Sequence, residues 1–190
     1  FEQITYGVKK KNFLKKKSEV NQKNLKIKVI NLFKKELDLF FHNEKKKFDI
    51  SVYKSSKFLN WRYLSRPDHK YFCYGVYDYN KKLKAYFILK KYKDLYSTKT
   101  HIVDYLYNDQ NKLELCKLII EKSAELAFKK FNSNEITFWC NSDICMQRVI
   151  KLYAFSKLNS RKMIYKVFNK KYKKLKKKWF FTMGDTLEIY

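Results

Sequence analysis

The sequence predicts one mixed α/β domain, a central sheet of parallel and antiparallel strands flanked by helices, and three observations carry that prediction. The first is the stretch from His101 to Cys140. HIVDYLY (101–107) is enriched in β-branched and aromatic residues, as a central strand requires. The polar loop 108–111 follows, and then LELCKLIIEKSAELAFKKF (113–131). There Leu113, Leu115, Cys116, Ile119, Ile120, Ala124, Leu126, Ala127 and Phe131 fill one arc of a helical wheel. Glu114, Lys117, Glu121, Lys122, Glu125 and Lys129 fill the other. EITFWC (135–140) closes a strand–loop–helix–strand unit, whose two strands should run parallel. The second observation is a hairpin: YFCYGVYDY faces KLKAYFILKKY across a turn near Asn80-Lys81. The third is bulk composition. With 190 residues, 45% hydrophobic and 18% aromatic, the chain can bury one full core and is not disordered.

Taken in order, FEQITYGV alternates and reads as a short strand, followed by a basic linker to residue 24. LKIKVINLF sets Leu25, Ile27 and Val29 on one strand face, and 34–47 is a short helix with Leu37, Phe40 and Phe41 inward. SSKFLNWRYLSRP reads as a helix with Ser55 or Ser56 as N-cap, stopped by Pro67. The hairpin and the βαβ unit come next. SDICMQRVIKLYAF is a further helix, N-capped by Ser142 or Asp143, with Cys145, Val149, Leu152 and Tyr153 inward. RKMIYKVFN and KKWFFTMGDTLEIY close the chain as two strands, bridged by KKYKKLKKK. Residues 1–24 are therefore expected to be the tail of a preceding element plus a linker, and 25–190 the domain. Phe1 is not an initiator Met, so the sequence reads as a piece of a longer chain.

The formal charge is +26, from 44 basic and 18 acidic residues. Such a surface is the footprint of a nucleic-acid or anionic-membrane binder. It equally follows from A- and T-rich codon usage, since Lys, Asn, Tyr, Phe and Ile abound while Arg is scarce. No apolar run approaches the roughly 18 residues needed to span a bilayer. Cys73, Cys116, Cys140 and Cys145 form no CxxC pair and read as buried small hydrophobes in a reducing cytosol. His42, His69 and His101 are too scattered for a metal site.

In a βαβ unit, ligands sit beyond the carboxyl ends of the strands, where free N–H groups at the helix start favour anions; here that is Tyr107 to Lys112. Asp104 alternates with Ile102 and Leu106, so it reads as a half-buried carboxylate. Desolvation would make it a base for an amine, whereas a structural role would pair it with a cation such as Arg62. His101 opens the strand on the opposite face and reads as idle. Trp61, Tyr63, Tyr105, Tyr107 and Trp139 either line a pocket or form plain core. Tyr153 and Tyr165 are candidate proton donors.

Several motifs together resemble the GNAT acyltransferase superfamily over roughly residues 25–190. FLNWRYLSRP before an aromatic hairpin is similar to the WRY-x-x-x-P segment of a bacterial branch that includes polysaccharide-cluster proteins. HIVDYLY and its helix resemble the fourth strand and third helix of the fold. KLYAF resembles the family's GF element, with Ala154 in place of Gly, and WFFTMGD resembles the end of the same branch. The resemblance implies a GNAT-like mixed sheet and transfer from acetyl-CoA or another acyl-CoA to a small-molecule amine, an amino sugar among them. It implies a pantetheine between strands 101–107 and 135–140 and a pyrophosphate at the helix start, held by Tyr105, Tyr107, Asn108, Gln110, Asn111 and Lys112. Asp104 and Tyr153 would be catalytic, with Trp61, Arg62, Tyr63 and Trp139 around the acceptor. The family's glycine-containing phosphate loop has no counterpart, because 108–114 reads NDQNKLE, and its usual acid Tyr aligns with Ile150. Two alternatives stand beside the enzyme. One is an inactive domain binding nucleic acid or an acidic partner through lysine; the other is the non-catalytic half of a tandem protein.

Overall fold

A computed structural model describes residues 2–15, 24–140, 143–162 and 178–186. Its core is a seven-stranded sheet in the order β2-β4-β5-β6-β7-β1-β8. The strands are β1 (Glu2–Lys9), β2 (Lys26–Val29), β4 (Tyr71–Tyr77), β5 (Leu83–Lys93), β6 (Thr98–Tyr107), β7 (Glu135–Cys140) and β8 (Ser156–Lys162). β6 and β7 pair in parallel and every other neighbour is antiparallel, so the sheet is mixed. A separate two-stranded parallel ribbon joins β3 (Ile50–Ser51) to β9 (Trp179–Phe180). The helices are α1 (Lys10–Leu14), α2 (Glu36–Glu44), α3 (Ser56–Leu59), α4 (Lys112–Glu125) and α5 (Ile144–Leu152).

The βαβ unit forms as its periodicity dictates. α4 buries Leu115, Cys116, Ile119, Ile120 and Ala124, while Leu113 stays exposed at its first turn. The hairpin turns at Lys81, which takes a positive φ of 62°. α5 is capped by the Asp143 side chain, which accepts from the Met146 N–H. Val149 and Tyr153 are buried as expected, but Met146 and Ile150 take the inward place expected for Leu152, which is exposed. Ala154 follows with φ 58°, the left-handed conformation that glycine adopts freely and alanine at a cost.

Several expectations need adjustment. Glu2–Lys9 is an interior strand between β7 and β8, so the sheet begins there and not at Leu25. The segment expected to be a linker starts with the helix α1, which buries Phe13. The strand after α5 starts earlier than expected, at Ser156, and runs through Arg161 and Lys162; the rest of the expected strand, 163–169, lies outside the described residues. Among the described residues the last expected strand pairs as a strand at Trp179–Phe180; Thr182 and Asp185 then cap a 3₁₀ turn, Met183–Asp185, reciprocally. That turn rules out a continuous strand.

One irregularity shapes the sheet. Ile88 pairs with Asp104 and Leu89 with Ile102, so Val103 is an extra residue, a β-bulge in β6. Cross-strand partners share a face, and Ile88 and Leu89 point opposite ways, so Asp104 lies on the face opposite Ile102. Simple alternation would place them on one face; the bulge inverts it.

Candidate functional site

The bulge also ends a pairing. β6 and β7 are joined only from Lys99↔Glu135 to Ile102↔Phe138. Beyond that point β7 continues to Cys140 and β6 to Tyr107 without pairing to each other. The Asn108 N–H bonds to the Lys84 carbonyl on β5, so alternation turns the N–H and C=O of Tyr105 and Tyr107 toward β7. The Tyr107 carbonyl accepts from Lys47 Nζ at 2.7 Å. The two strands part here.

On the α4 and α5 side, tyrosines span the parting. The Tyr107 hydroxyl donates to Asp143 Oδ1 at 2.5 Å, and Tyr105, stacked 6.4 Å from Tyr107, reaches the Cys140 thiol. Burial pushes the Asp143 carboxyl upward and raises both tyrosines. Tyr105 and Tyr107 therefore combine peptide groups directed at the parting with side chains that close one side of it.

At the carboxyl end of β6, the start of α4 opens into a cavity of about 910 Å³, lined by Asp109, Gln110, Asn111, Lys112 and residues of α4, the hairpin and the segment just before β2. Asn111 has φ 59° and its side chain caps nothing, so the first N–H groups of α4 are left without a side-chain acceptor. Asparagine tolerates this conformation better than most residues, and it supplies the turn that the sequence lacked a glycine to make. Lys47, which sequence reading did not single out, lies 3.6 Å from Asp109 and 4.7 Å from the Tyr107 ring. Its position in a lysine run (45–47) hid it.

A second cavity, of about 340 Å³, opens beside the paired part of β6 and β7. His101, Thr137, Trp139, Thr5, Tyr92 and Asn159 line it, and Met183 and Thr186 border it. His101 Nδ1 meets Thr137 Oγ1 at 2.6 Å. Burial, and then the charges of Lys90 and Lys99, hold the His101 pKa down at about 4. Expected to be idle, this histidine is a neutral imidazole on a cavity wall.

Asp104 has a different setting. Lys54 Nζ donates to both its oxygens at 2.8 and 2.9 Å, and the Tyr63 hydroxyl donates to Oδ2 at 2.9 Å. Lys54 also donates to Thr182 Oγ1 and lies 2.9 Å from the Asp185 carboxylate. Lys54 and Asp104 are fully buried. Burial raises the Asp104 pKa against the pull of Lys54; burial alone would lower Lys54, but Asp104 and Asp185 outweigh it and raise it. The cation expected beside Asp104 is thus Lys54. Arg62 donates instead to the carbonyls of Gly184 and Thr186 at 3.1 and 2.6 Å. Two motifs far apart in sequence, WRY and WFFTMGD, meet over the central strand.

Of the remaining predicted residues, Trp139 lines the smaller cavity and Gln110, Asn111 and Lys112 line the larger. Asn108 sits between them and the strand. Tyr63 is buried against Asp104. Trp61 is 59% exposed, stands beside Phe58 and borders neither cavity. Tyr153 is buried, stacks on Phe13 and donates to Glu121, away from both cavities. Tyr165 lies outside the described residues. No helix among the described residues is long and apolar enough to cross a membrane.

No family model and no curated protein matches this sequence. Solved structures do match the fold. A GCN5-related N-acetyltransferase from Anabaena variabilis ATCC 29413 superposes with a TM-score of 0.59 at 7% identity, over 84% of this chain and 38% of that one. A conserved protein of unknown function from Enterococcus faecalis V583, described as a probable N-acyltransferase, gives 0.58 at 13%, over 84% and 38%. Saccharomyces cerevisiae N-myristoyltransferase with bound myristoyl-CoA and inhibitors gives 0.57 at 12%, over 82% and 46%. The chain spans less than half the length of each of these three neighbours. Its fold is that of the GNAT N-acyltransferases.

Proposed function

We propose that this chain is an acyl-CoA-dependent N-acyltransferase domain acting on a small-molecule amine, the class that the resemblance suggested and that includes amino sugars. The observation that carries the reading is the parting of β6 from β7 at the Val103 bulge, beside an uncapped helix N-terminus. The fold neighbours support it, one of them described with bound myristoyl-CoA. The chain's residues fit such a group: free N–H groups at the start of α4 and the Lys112 charge suit a pyrophosphate, and the parting suits an extended chain. Acyl-CoA supplies an acyl group activated on sulfur. The chain orients it, and the N–H groups of Tyr105 and Tyr107 face the charge that develops on the carbonyl oxygen. The proton leaving the amine goes to water in this reading, because Asp104 borders neither cavity and its oxygens are already taken by Lys54 and Tyr63.

Binding should be weak, on the order of 0.1–1 mM or about 4–5.5 kcal/mol, since no glycine lets the backbone close on the phosphates and the tyrosine side chains must swing aside. Calorimetry with CoA and acetyl-CoA tests this, and Lys112→Glu should weaken the heat further. No heat at millimolar ligand overturns the reading. The second reading, a non-catalytic half of a larger protein, draws on the Tyr107–Asp143 and Tyr105–Cys140 contacts across the parting and on the 38% coverage of two neighbours. A Tyr107→Phe variant that still binds no CoA would favour it.

A further inference from the structure

The turn between β5 and β6 presents two large apolar side chains to solvent. Leu95 and Tyr96 are 92% and 94% exposed, more than any other large apolar residue among those described. An ordered turn holds them there. The Asp94 carboxylate accepts from the Tyr96 and Ser97 N–H groups at 2.8 and 2.6 Å, and the Asp94 N–H donates to the Ser97 carbonyl at 3.0 Å. Such side-chain-to-backbone bonds fix the turn and with it the side chains that face outward. Exposed apolar residues scattered singly are ordinary; two side by side on a hairpin tip, neither belonging to the core, call for a partner.

The surroundings of the tip are basic. Lys91 and Lys93, on the last turn of β5 before it, are exposed. Two further segments reach the same end of the sheet. The Lys10 N–H bonds to the Asn134 carbonyl, and the Asn134 N–H to the Thr98 carbonyl at the start of β6. This brings to that end the exposed Lys10 and Lys11 of α1, and the exposed Lys129 and Lys130, which close the turn Leu126–Lys130 that extends α4. The neighbouring carboxylates are engaged: Asp94 inside the turn, and Glu135 by Lys99 at 3.4 Å. Lysine abounds throughout this chain, so charge alone singles out nothing. Its coincidence with the apolar tip does.

An apolar pair ringed by cations complements a surface that is anionic at its face and apolar just beneath it, which is an anionic lipid bilayer. Leucine suits the acyl boundary. Tyrosine suits the headgroup level, with its ring in the apolar layer and its hydroxyl toward water. Phosphate contacts with a nucleic acid need the lysines alone, so they leave the apolar pair unexplained. The position of the tip also sets an orientation. β6 is 10 residues long, about 30 Å at the usual rise, and the 910 Å³ cavity lies at its other end. A domain docked through this turn keeps that cavity open to water.

We propose that the β5–β6 turn docks this domain on an anionic membrane surface, with Leu95 and Tyr96 entering the boundary between headgroups and acyl chains and the surrounding lysines resting on the headgroups. The proposal is independent of the acyl-transfer reading. The full chain is sedimented with phosphatidylcholine vesicles containing about 30% phosphatidylserine, and with vesicles of phosphatidylcholine alone. It should bind the anionic vesicles, and less as added salt screens the lysines. The double variant Leu95→Ser, Tyr96→Ser should bind about ten-fold more weakly, the loss expected when two side chains no longer leave water. Both positions are exposed, so that variant should melt like the parent. A second measurement reads insertion directly. In Leu95→Trp, tryptophan emission should shift to the blue on anionic vesicles and be quenched by brominated acyl chains, which adsorption through lysine alone would not produce. No sedimentation at low salt, equal sedimentation of the parent and the double variant, or an emission that neither shifts nor is quenched overturns the proposal. Duplex DNA bound equally by the parent and the double variant, with vesicles left unbound, overturns it in favour of a nucleic-acid surface.

Discussion

His101 and Asp104 sit three residues apart on one strand, and their chemistry could hardly differ more. Asp104 carries the residue type expected of a base, yet it is fully buried, bound by Lys54 and Tyr63, and roofed by the segment 182–186. His101 reads from sequence as an idle strand-end residue, yet it lines a cavity and stays neutral. Two features between them cause the difference. The bulge at Val103 turns Asp104 to the face where Lys54 and Tyr63 wait, and the Thr182–Thr186 segment, held by Arg62, stands between Asp104 and the cavity. Whether a titratable residue does chemistry or holds the fold together depends on what crosses over it, and that covering segment comes from the far end of the chain.

The sharpest way to test the contrast is to remove the cation. Lys54→Met leaves the buried carboxylates of Asp104 and Asp185 facing each other. Breaking a buried pair from one side costs roughly 3–5 kcal/mol, so the thermal midpoint should drop steeply. Asp104→Asn should cost less, because Lys54 keeps Asp185 as its counter-ion and loses only its charged hydrogen bonds to Asp104. If Asp104 were instead a working base, Asp104→Asn would melt almost like the parent and lose only activity. An unchanged melt in both variants would break the comparison.

A smaller loss is expected where the covering segment touches the strand. A Cβ on Gly184 would lie 1.7 Å from the Tyr63 hydroxyl and 3.1 Å from the Val103 carbonyl. The hydroxyl is held by Asp104 and cannot simply turn away. Gly184→Ala should therefore cost about 2–3 kcal/mol as an overpacked contact. In a double-mutant cycle with Tyr63→Phe, the alanine should cost less than it does alone, since the clashing atom is gone. Equal costs in both backgrounds would mean that the segment is not pressed on Tyr63.

Much of the scaffold is legible in the sequence. β6, α4 and β7 follow from period alone, and so does the hairpin, because local pattern dictates local structure there. The place of the start of α4 at the carboxyl end of β6, where it lines a cavity, was legible too, as a consequence of βαβ geometry. Three things were not. The bulge at Val103 has no glycine or proline to announce it, and it inverted the face assigned to Asp104. The pairing of WRY with WFFTMGD spans more than a hundred residues, and no periodicity encodes such a contact. Lys54 gave no signal, since one lysine among so many looks like another solvated charge. Trp61 failed for the opposite reason: a tryptophan beside Arg62 and Tyr63 looks like part of their cluster, but the helical turn at 60–64 points it to solvent.

The mildest test uses protons rather than a large structural lesion, and it addresses the His101 side of the contrast. Folded His101 titrates near 4, while a free imidazole titrates near 6.5. Between those values the unfolded chain binds a proton that the folded one refuses, so stability rises with pH across that window. Its contribution is whole above about 6.5, falls away as pH drops, and is gone below about 4. The full shift would exceed 3 kcal/mol, but His101 lies on the wall of an open cavity, so about 1–2 kcal/mol is the expected span. Asp104 complicates a single profile, because its raised carboxyl acts with the opposite sign in acid. Subtracting the denaturant-unfolding profile of His101→Asn from that of the parent removes this shared part. The difference should slope upward from pH 4 to 6.5 and lie flat above. A flat difference throughout would mean that the imidazole titrates freely, and that His101 is as exposed to solvent as its place in the sequence suggested.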